Sequence, residues 1–261
     1  MQNHFLEFNM LDTIAKQLDQ AARTATAVEQ ISTHTEISLA DAYEIQKLSI
    51  NERLARGEKL VGYKMGFTSH AKMKQMGVDD LIWGRLTDAM VIEQGQTIDL
   101  NNYVHPRAEP EVAFKLKAPL AGKVTKEEAL AAVEAIAPAI EVIDSRYQNF
   151  KFSLADVIAD NCSSTGFVIG QWFAPETDIA ALDMQLKVNG ETRAQGLSSE
   201  ILDHPLNSLV EAARCVAEYG ETLEAGQIVL AGAATAAIAL EPSQRIEARV
   251  EGLGVCGFNI K

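Results

Sequence analysis

Near the start of the chain, Leu11, Ile14, Leu18, Ala21 and Ala22 recur at three- and four-residue spacing, the stripe of a helix that buries one face. Ser38 with Asp41 three positions on has the spacing of a capping box, in which hydroxyl and carboxylate satisfy amides of the first turn. The helix it opens is predicted to run to about Arg56 and to stop at Gly57. Residues 11–57 therefore read as helical. From Lys59 the pattern changes to short apolar segments separated by turns. Residues 60–65 read as a strand ending at Gly66, and residues 69–76 as a short helix closed by Gly77. Thr125 and Glu128 form a second capping box, opening a helix that Pro138 is expected to terminate, and residues 139–144 read as a buried strand. Met184, Leu186 and Val188 alternate with polar residues before Asn189-Gly190, the strongest short hairpin signal. A last helix over residues 206–219, stopped by Gly220, precedes strands near 227–231, 245–251 and 255–260. Many strands and few helices indicate an α+β fold, divided into a helical N-terminal segment over residues 1–58 and a β-rich domain over 59–261.

Composition narrows the function classes. The chain has 261 residues, of which 47% are hydrophobic, enough for a sizeable core without disulfides or a structural metal. Its 36 acidic residues outnumber 23 Lys plus Arg, for a net charge of −13 with no basic run. That balance disfavours nucleic acid and anionic membranes as partners. Cys162, Cys215 and Cys256 are widely spaced and form no CxxC, which points to a reducing cytoplasm. Residues 1–10 lack the basic-then-apolar order of a secretory signal, and the longest apolar run, 13 residues from Ile228, falls short of the roughly 20 that span a bilayer. Walker, GxSxG and HExxH motifs are absent, and His105 and His204, each before a proline, read as structural hydrogen-bonding residues.

The chemistry lies in carboxylates. Glu109 and Glu111 are two apart, so on a strand they share a face. Alone, such a pair reads as a solvated polar face, but Val112-Ala113-Phe114 directly after it belongs in a core. Thirty residues beyond Glu111, Glu141 interrupts the apolar stretch Ala139-Ile140-Glu141-Val142-Ile143. A buried carboxylate costs several kcal/mol unless it is paired or binds metal. Three carboxylates without thiolate or imidazole make a hard-oxygen site suited to Mg2+ or Mn2+.

Glu-x-Glu followed by this third acid resembles the ligand pattern of the fumarylacetoacetate hydrolase superfamily, with Glu at the third position as in its hydratase and decarboxylase branch. The resemblance extends through Gly62-Tyr63-Lys64-Met65-Gly66-Phe67-Thr68-Ser69, Val142-Ile143-Asp144-Ser145-Arg146-Tyr147-Gln148-Asn149-Phe150, Ala159-Asp160-Asn161-Cys162-Ser163-Ser164 and His204-Pro205-Leu206. It implies a mixed β-roll or sandwich with a small helical N-terminal segment. It also implies Mg2+ or Mn2+ on Glu109, Glu111 and Glu141, and a 2-oxo-enedioate substrate. The expected assembly is a homo-oligomer able to associate with the 2-hydroxypentadienoate hydratase.

Within the branch, the runs over residues 64–78 and 143–152 are more similar to 4-oxalocrotonate decarboxylases than to hydratases. Hydratases of this kind carry an acid immediately before an aromatic-Gly pair. Here Ile82 precedes Trp83-Gly84, and isoleucine cannot activate water, although Asp79 and Asp80 lie close upstream. The expected reaction is metal-dependent decarboxylation of 2-oxohex-3-enedioate. The alternatives are hydration of 2-hydroxypentadienoate and an inactive scaffold that partners a hydratase. Lys64, between Gly62 and Gly66, is the expected catalytic cation, against the plainer reading of a surface lysine. Ile82, Asn161, Ser163 and Thr235 are the expected substrate contacts, with a structural turn the other reading for Asn161 and Ser163. Arg146 reads as the partner of a nearby acid, and Cys162 as a small buried side chain.

Overall fold

The computed structural model describes residues 2–69 and 81–261, with side chains from residue 9. The short helix expected over 69–76, and Asp79 and Asp80, fall outside the described residues beyond Ser69. The helical start resolves into two helices, α1 (Gln2–Thr24) and α2 (Leu39–Ala55). Residues 25–38 between them hold a 3-10 turn and a single bridge from Val28 to Tyr147, a break that the periodicity alone does not reveal. The Ser38–Asp41 capping box opens α2 as expected.

Twelve strands among the described residues form two sheets. The strands are β1 (Leu60–Gly66), β2 (Ile82–Thr87), β3 (Thr97–Ile98), β4 (Arg107–Leu116), β5 (Val133–Ile143), β6 (Ser164–Ile169), β7 (Asp183–Val188), β8 (Glu191–Leu197), β9 (Ile228–Ala233), β10 (Ile238–Ala239), β11 (Arg245–Val250) and β12 (Gly254–Ile260). The first sheet runs β2-β1-β9-β4-β5-β6 with β10 added beside β4, and the second runs β3-β12-β11-β7-β8. Three more helices, α3 (Lys126–Ala132), α4 (Leu154–Ala159) and α5 (Pro205–Glu218), complete the α+β architecture, and none of the described helices is long and apolar enough to cross a membrane. The Asn189-Gly190 turn joins β7 to β8 with both residues at positive φ, as the hairpin signal requires.

One expectation fails at Pro138. The Thr125-capped helix ends at Ala132, and β5 starts at Val133 and passes through Pro138 opposite Val112. The β6 ladder ends at the Ala139–Ile169 pair, and the Pro138 carbonyl accepts from the Gly170 amide at 2.8 Å just past it. A proline there forfeits no ladder bond, so the apolar, partly β-branched residues around it extend the strand.

Alternation along the strands decides what each face does. Ala108, Ile140 and Val142 pack with Leu186, Ile246 and Phe258 of the second sheet. Glu109, Glu111 and Glu141 fall on the opposite face. A separate apolar cluster joins α1 and α2 to the sheet through Leu18, Tyr43, Ile45 and Trp83.

Candidate metal centre and active-site cavity

Glu109 on β4 stands directly opposite Glu141 on β5, and Glu111 is one step further along the same face. All three side chains are buried, and each offers a carboxylate oxygen within 4.8 Å of the others. Lys64 enters from β1, three strands away from β5 in the sheet order. In a flat sheet that separation is about 14 Å. Coiling of the sheet and the reach of two long side chains close it, so the Lys64 ammonium lies 3.0 Å from Oε2 of Glu141 and 3.3 Å from the Cys162 carbonyl.

Three carboxylates crowd together in a dry site beside one ammonium, that of Lys64. Burial, reinforced by the charges of Glu141 and Glu109, holds the Glu111 carboxyl well above its ordinary range, and burial likewise raises Glu141 against the pull of Lys64. Burial alone would lower Lys64, but the carboxylates, led by Glu141, keep it protonated. Glu111 Oε1 and both Glu141 oxygens lack a hydrogen-bond donor despite being buried, the Lys64 contact being an ion pair without hydrogen-bond alignment. Buried acceptors without donors are costly. One hard divalent cation satisfies these oxygens and cancels the residual charge, so the donor set fits Mg2+ or Mn2+.

Glu111 is aimed by the backbone at the end of β9. Its Oε2 accepts from the Gly232 amide at 2.7 Å, and Gly232 has φ +98°, with Thr68 Oγ1 only 2.0 Å from where a Cβ would stand. Gly232→Ala is therefore expected to lower activity about tenfold and to destabilise the fold by roughly 1–3 kcal/mol, measured by thermal unfolding. An unaltered melting temperature and rate would show that Gly232 does not set Glu111.

A cavity of about 290 Å3 reaches the cluster at Glu109 and is lined also by Lys64, Ile82, Ser163, Phe150 and Phe152 among others. The Ser163 hydroxyl is buried there without a protein partner, which leaves it free to meet a ligand. Asn161 does something else. Its Oδ1 accepts from the Arg85 amide at 2.8 Å and its Nδ2 donates to the Arg85 carbonyl at 2.9 Å, so its amide clamps β2. Asn161, Cys162 and Ser163 form three successive left-handed residues, and Gly84 lets this turn close in, since a Cβ there would stand 2.7 Å from the Asn161 carbonyl. Thr235 is absent from the cavity lining. Its hydroxyl donates to the Ala236 carbonyl at 3.1 Å and its methyl faces Gly196 on β8, while Ala236 and Ala237 line the cavity in its stead.

Arg146 pairs with Asp160, the structural role expected of it. All three cysteines are free and buried, and burial pushes the Cys162 thiol up to about 12, far from a nucleophile's range. His204 caps α5 by accepting from the Leu206 amide. Arg107, Phe67, Phe150 and Phe152 also line the cavity, and the sequence patterns did not mark them as site residues. The signal available was that Arg107 shares the alternating face of Glu109 and Glu111.

Relatives carry the same architecture. A 4-oxalocrotonate decarboxylase of a Pseudomonas species is 53% identical over 249 residues, covering 95% of this chain and 97% of its own. A 2-hydroxyhexa-2,4-dienoate hydratase of Comamonas testosteroni is 34% identical, covering 95% and 96%. The solved structure of 4-oxalocrotonate decarboxylase from Pseudomonas putida G7, complexed with magnesium and adipate, superposes with a TM-score of 0.94 at 36% identity over 97% of this chain and 98% of its own. The fumarylacetoacetate (FAA) hydrolase C-terminal family profile matches residues 59–261. With a curled sheet that gathers three buried glutamates and with relatives matched over nearly its whole length, the chain belongs to the fumarylacetoacetate hydrolase C-terminal family.

Proposed function

We propose that this chain is a metal-dependent carboxy-lyase that converts 2-oxohex-3-enedioate (4-oxalocrotonate) to 2-hydroxypenta-2,4-dienoate and CO2, with Mg2+ or Mn2+ as cofactor. The observation that carries the reading is the buried Glu109-Glu111-Glu141 cluster with Lys64 beside it, reached through Glu109 from a cavity of about 290 Å3. Its similarity to decarboxylases, at 53% against 34% for the hydratase, chooses between the two activities. The chemistry agrees, because Ile82 lines the cavity where a hydratase needs an acid to move a proton to or from water.

Glu109, Glu111 and Glu141 would hold the cation, which when bound supplies Lewis-acid stabilisation of charge developing at the substrate's C2 oxygen. In the reaction the C5–C6 bond breaks and C6 leaves as CO2. The electron pair moves into C4–C5, the C3–C4 π pair into C2–C3, and the carbonyl pair onto the C2 oxygen, which takes one proton from solvent. In this reading Lys64 is the catalytic cation. Its ammonium is fixed by Glu141 and by the Cys162 carbonyl, so it needs no reorganisation as negative charge shifts towards the carboxylate cluster. The Ser163 hydroxyl donates to the substrate, and Ile82 with Phe152 keeps water out.

The division at residue 58 belongs to the same proposal, with the helical segment bracing β-rich catalytic residues 59–261. So do a cytoplasmic location, a homo-oligomeric state and association with the 2-hydroxypentadienoate hydratase that consumes the product; buried free cysteines fit a reducing compartment.

The test supplies purified chain and Mg2+ with each substrate separately. Release of CO2 from 2-oxohex-3-enedioate is expected, with formation of 4-hydroxy-2-oxopentanoate from 2-hydroxypenta-2,4-dienoate slower by about a hundredfold or more. Faster hydration than decarboxylation would assign the chain to the hydratases, and neither activity would leave a scaffold.

A further inference from the structure

Lys64 is not the sole cation at the cavity. Arg107 lines it as well, at the start of β4 and two residues before Glu109 on the same face. Its guanidinium carbon is 4.4 Å from the centre of the Phe150 ring. Among the described residues no carboxylate pairs with it, whereas the other cation of the cavity is tied to Glu141. Phe150 is brought beneath it by unusual backbone, since Asn149 and Phe150 both have positive φ, at 60° and 55°. Left-handed geometry at an aromatic residue is costly and persists where the surroundings impose it. His105 and Phe152 pack on the same ring and hold it. The result is a half-buried guanidinium placed over an aromatic face, with its hydrogen-bonding edge open to a planar anion.

We propose that Arg107 is a specificity-determining residue that binds the far carboxylate of a diacid whose other end lies at the Glu109-Glu111-Glu141 cluster. The proposal rests on the decarboxylase reading, in which the far carboxylate is the C6 group that leaves. Along β4 the Cα atoms of Arg107 and Glu109 are about 6.6 Å apart, a spacing that a six-carbon diacid bridges. Stacking on Phe150 fixes the plane of the guanidinium, and so the direction of the C5–C6 bond relative to the conjugated chain. A monoacid loses this contact and leaves the guanidinium unmatched. The cavity therefore prefers dianions of this length.

Equilibrium binding to the Mg2+-loaded full chain tests it, with three probes. Adipate presents both carboxylates, hexanoate has the same length with one, and pyruvate mimics only the 2-oxo-carboxylate end. The wild type is expected to bind adipate at least about tenfold more tightly than hexanoate. Arg107→Gln is expected to erase that preference while binding pyruvate unchanged, which also shows that the variant is folded. Arg107→Lys, which keeps charge but loses the planar fork, is expected to retain part of the preference, and it carries the test if the Gln variant does not fold. Equal binding of adipate and hexanoate by the wild type, or an undiminished preference in either variant, would overturn the assignment. Failure of the wild type to release CO2 would instead sink the decarboxylase reading, whatever Arg107 does.

Discussion

Glu111→Gln is expected to make the metal-free protein more stable and the enzyme nearly inactive. In the metal-free site Glu111 and Glu141 are buried beside each other, and burial holds both carboxyls above their ordinary range. The folded state then binds more protons than the unfolded chain, so metal-free stability falls as pH rises above the ordinary carboxylate pKa. A neutral amide removes one of the repelling charges, keeps the acceptor for Gly232, and offers an N–H to the unpartnered oxygens of Glu141. With Mg2+ at a hundred times its Kd the wild type should gain about 2.7 kcal/mol, and the variant almost nothing. Activity should fall more than about a hundredfold, since loss of outer-shell partners alone costs 10–100-fold at metal sites. Melting curves with and without Mg2+, taken from pH 5 to pH 8, check all three effects. A variant that is less stable without metal and still responds to Mg2+ would place the cation elsewhere.

Lys64→Met is expected to lower kcat/KM about a hundredfold, which is about 2.7 kcal/mol of transition-state stabilisation. Its signature differs from that of a lost ligand. The ammonium is buried and 3.0 Å from Glu141, so its removal strips Glu141 of its ion-pair partner in the metal-free state. Breaking a buried pair from one side costs roughly 3–5 kcal/mol, and that loss should appear without metal and be reversed by Mg2+. Affinity for Mg2+, followed by calorimetry, should not fall, because the deleted cation competes for the same oxygens. Lys64→Arg should recover activity only in part, its fork being too broad for the gap between Glu141 and the Cys162 carbonyl. Full activity in Lys64→Met would remove the residue from the mechanism.

Local chemistry was legible where one residue type in one spacing has one physical use. Glu141 is conspicuous as an acid in an apolar strand, and Ser38 with Asp41 or Asn189-Gly190 have a mechanism that acts within a few residues. Other features depend on elements far apart in sequence. Pro138 reads as a helix stop until β6 is seen to end beside it. Asn161 looks like a polar group near a ligand, but its amide meets β2 across 76 residues of chain. Arg107 goes unmarked in the sequence, because the left-handed turn that puts Phe150 beneath it leaves no sequence signal. The family resemblance placed Thr235 near the site, and the chain turned its methyl towards Gly196.

The alternation of faces along β4 and β5 also governs how such a sequence can diverge. Ile140 and Val142 fill the space between the sheets while Glu141, between them, joins Glu109 and Glu111 on the opposite face. Substitution on the packed face is an exchange of one apolar shape for another. Insertion or deletion of a single residue is different in kind: it turns Glu141 into the apolar interior and presents an isoleucine or valine in its place, abolishing site and core together. In descendants of this chain, length changes should therefore gather in connections such as residues 117–124 and 170–182, with residues 107–111 and 139–143 free of gaps even where their apolar identities drift.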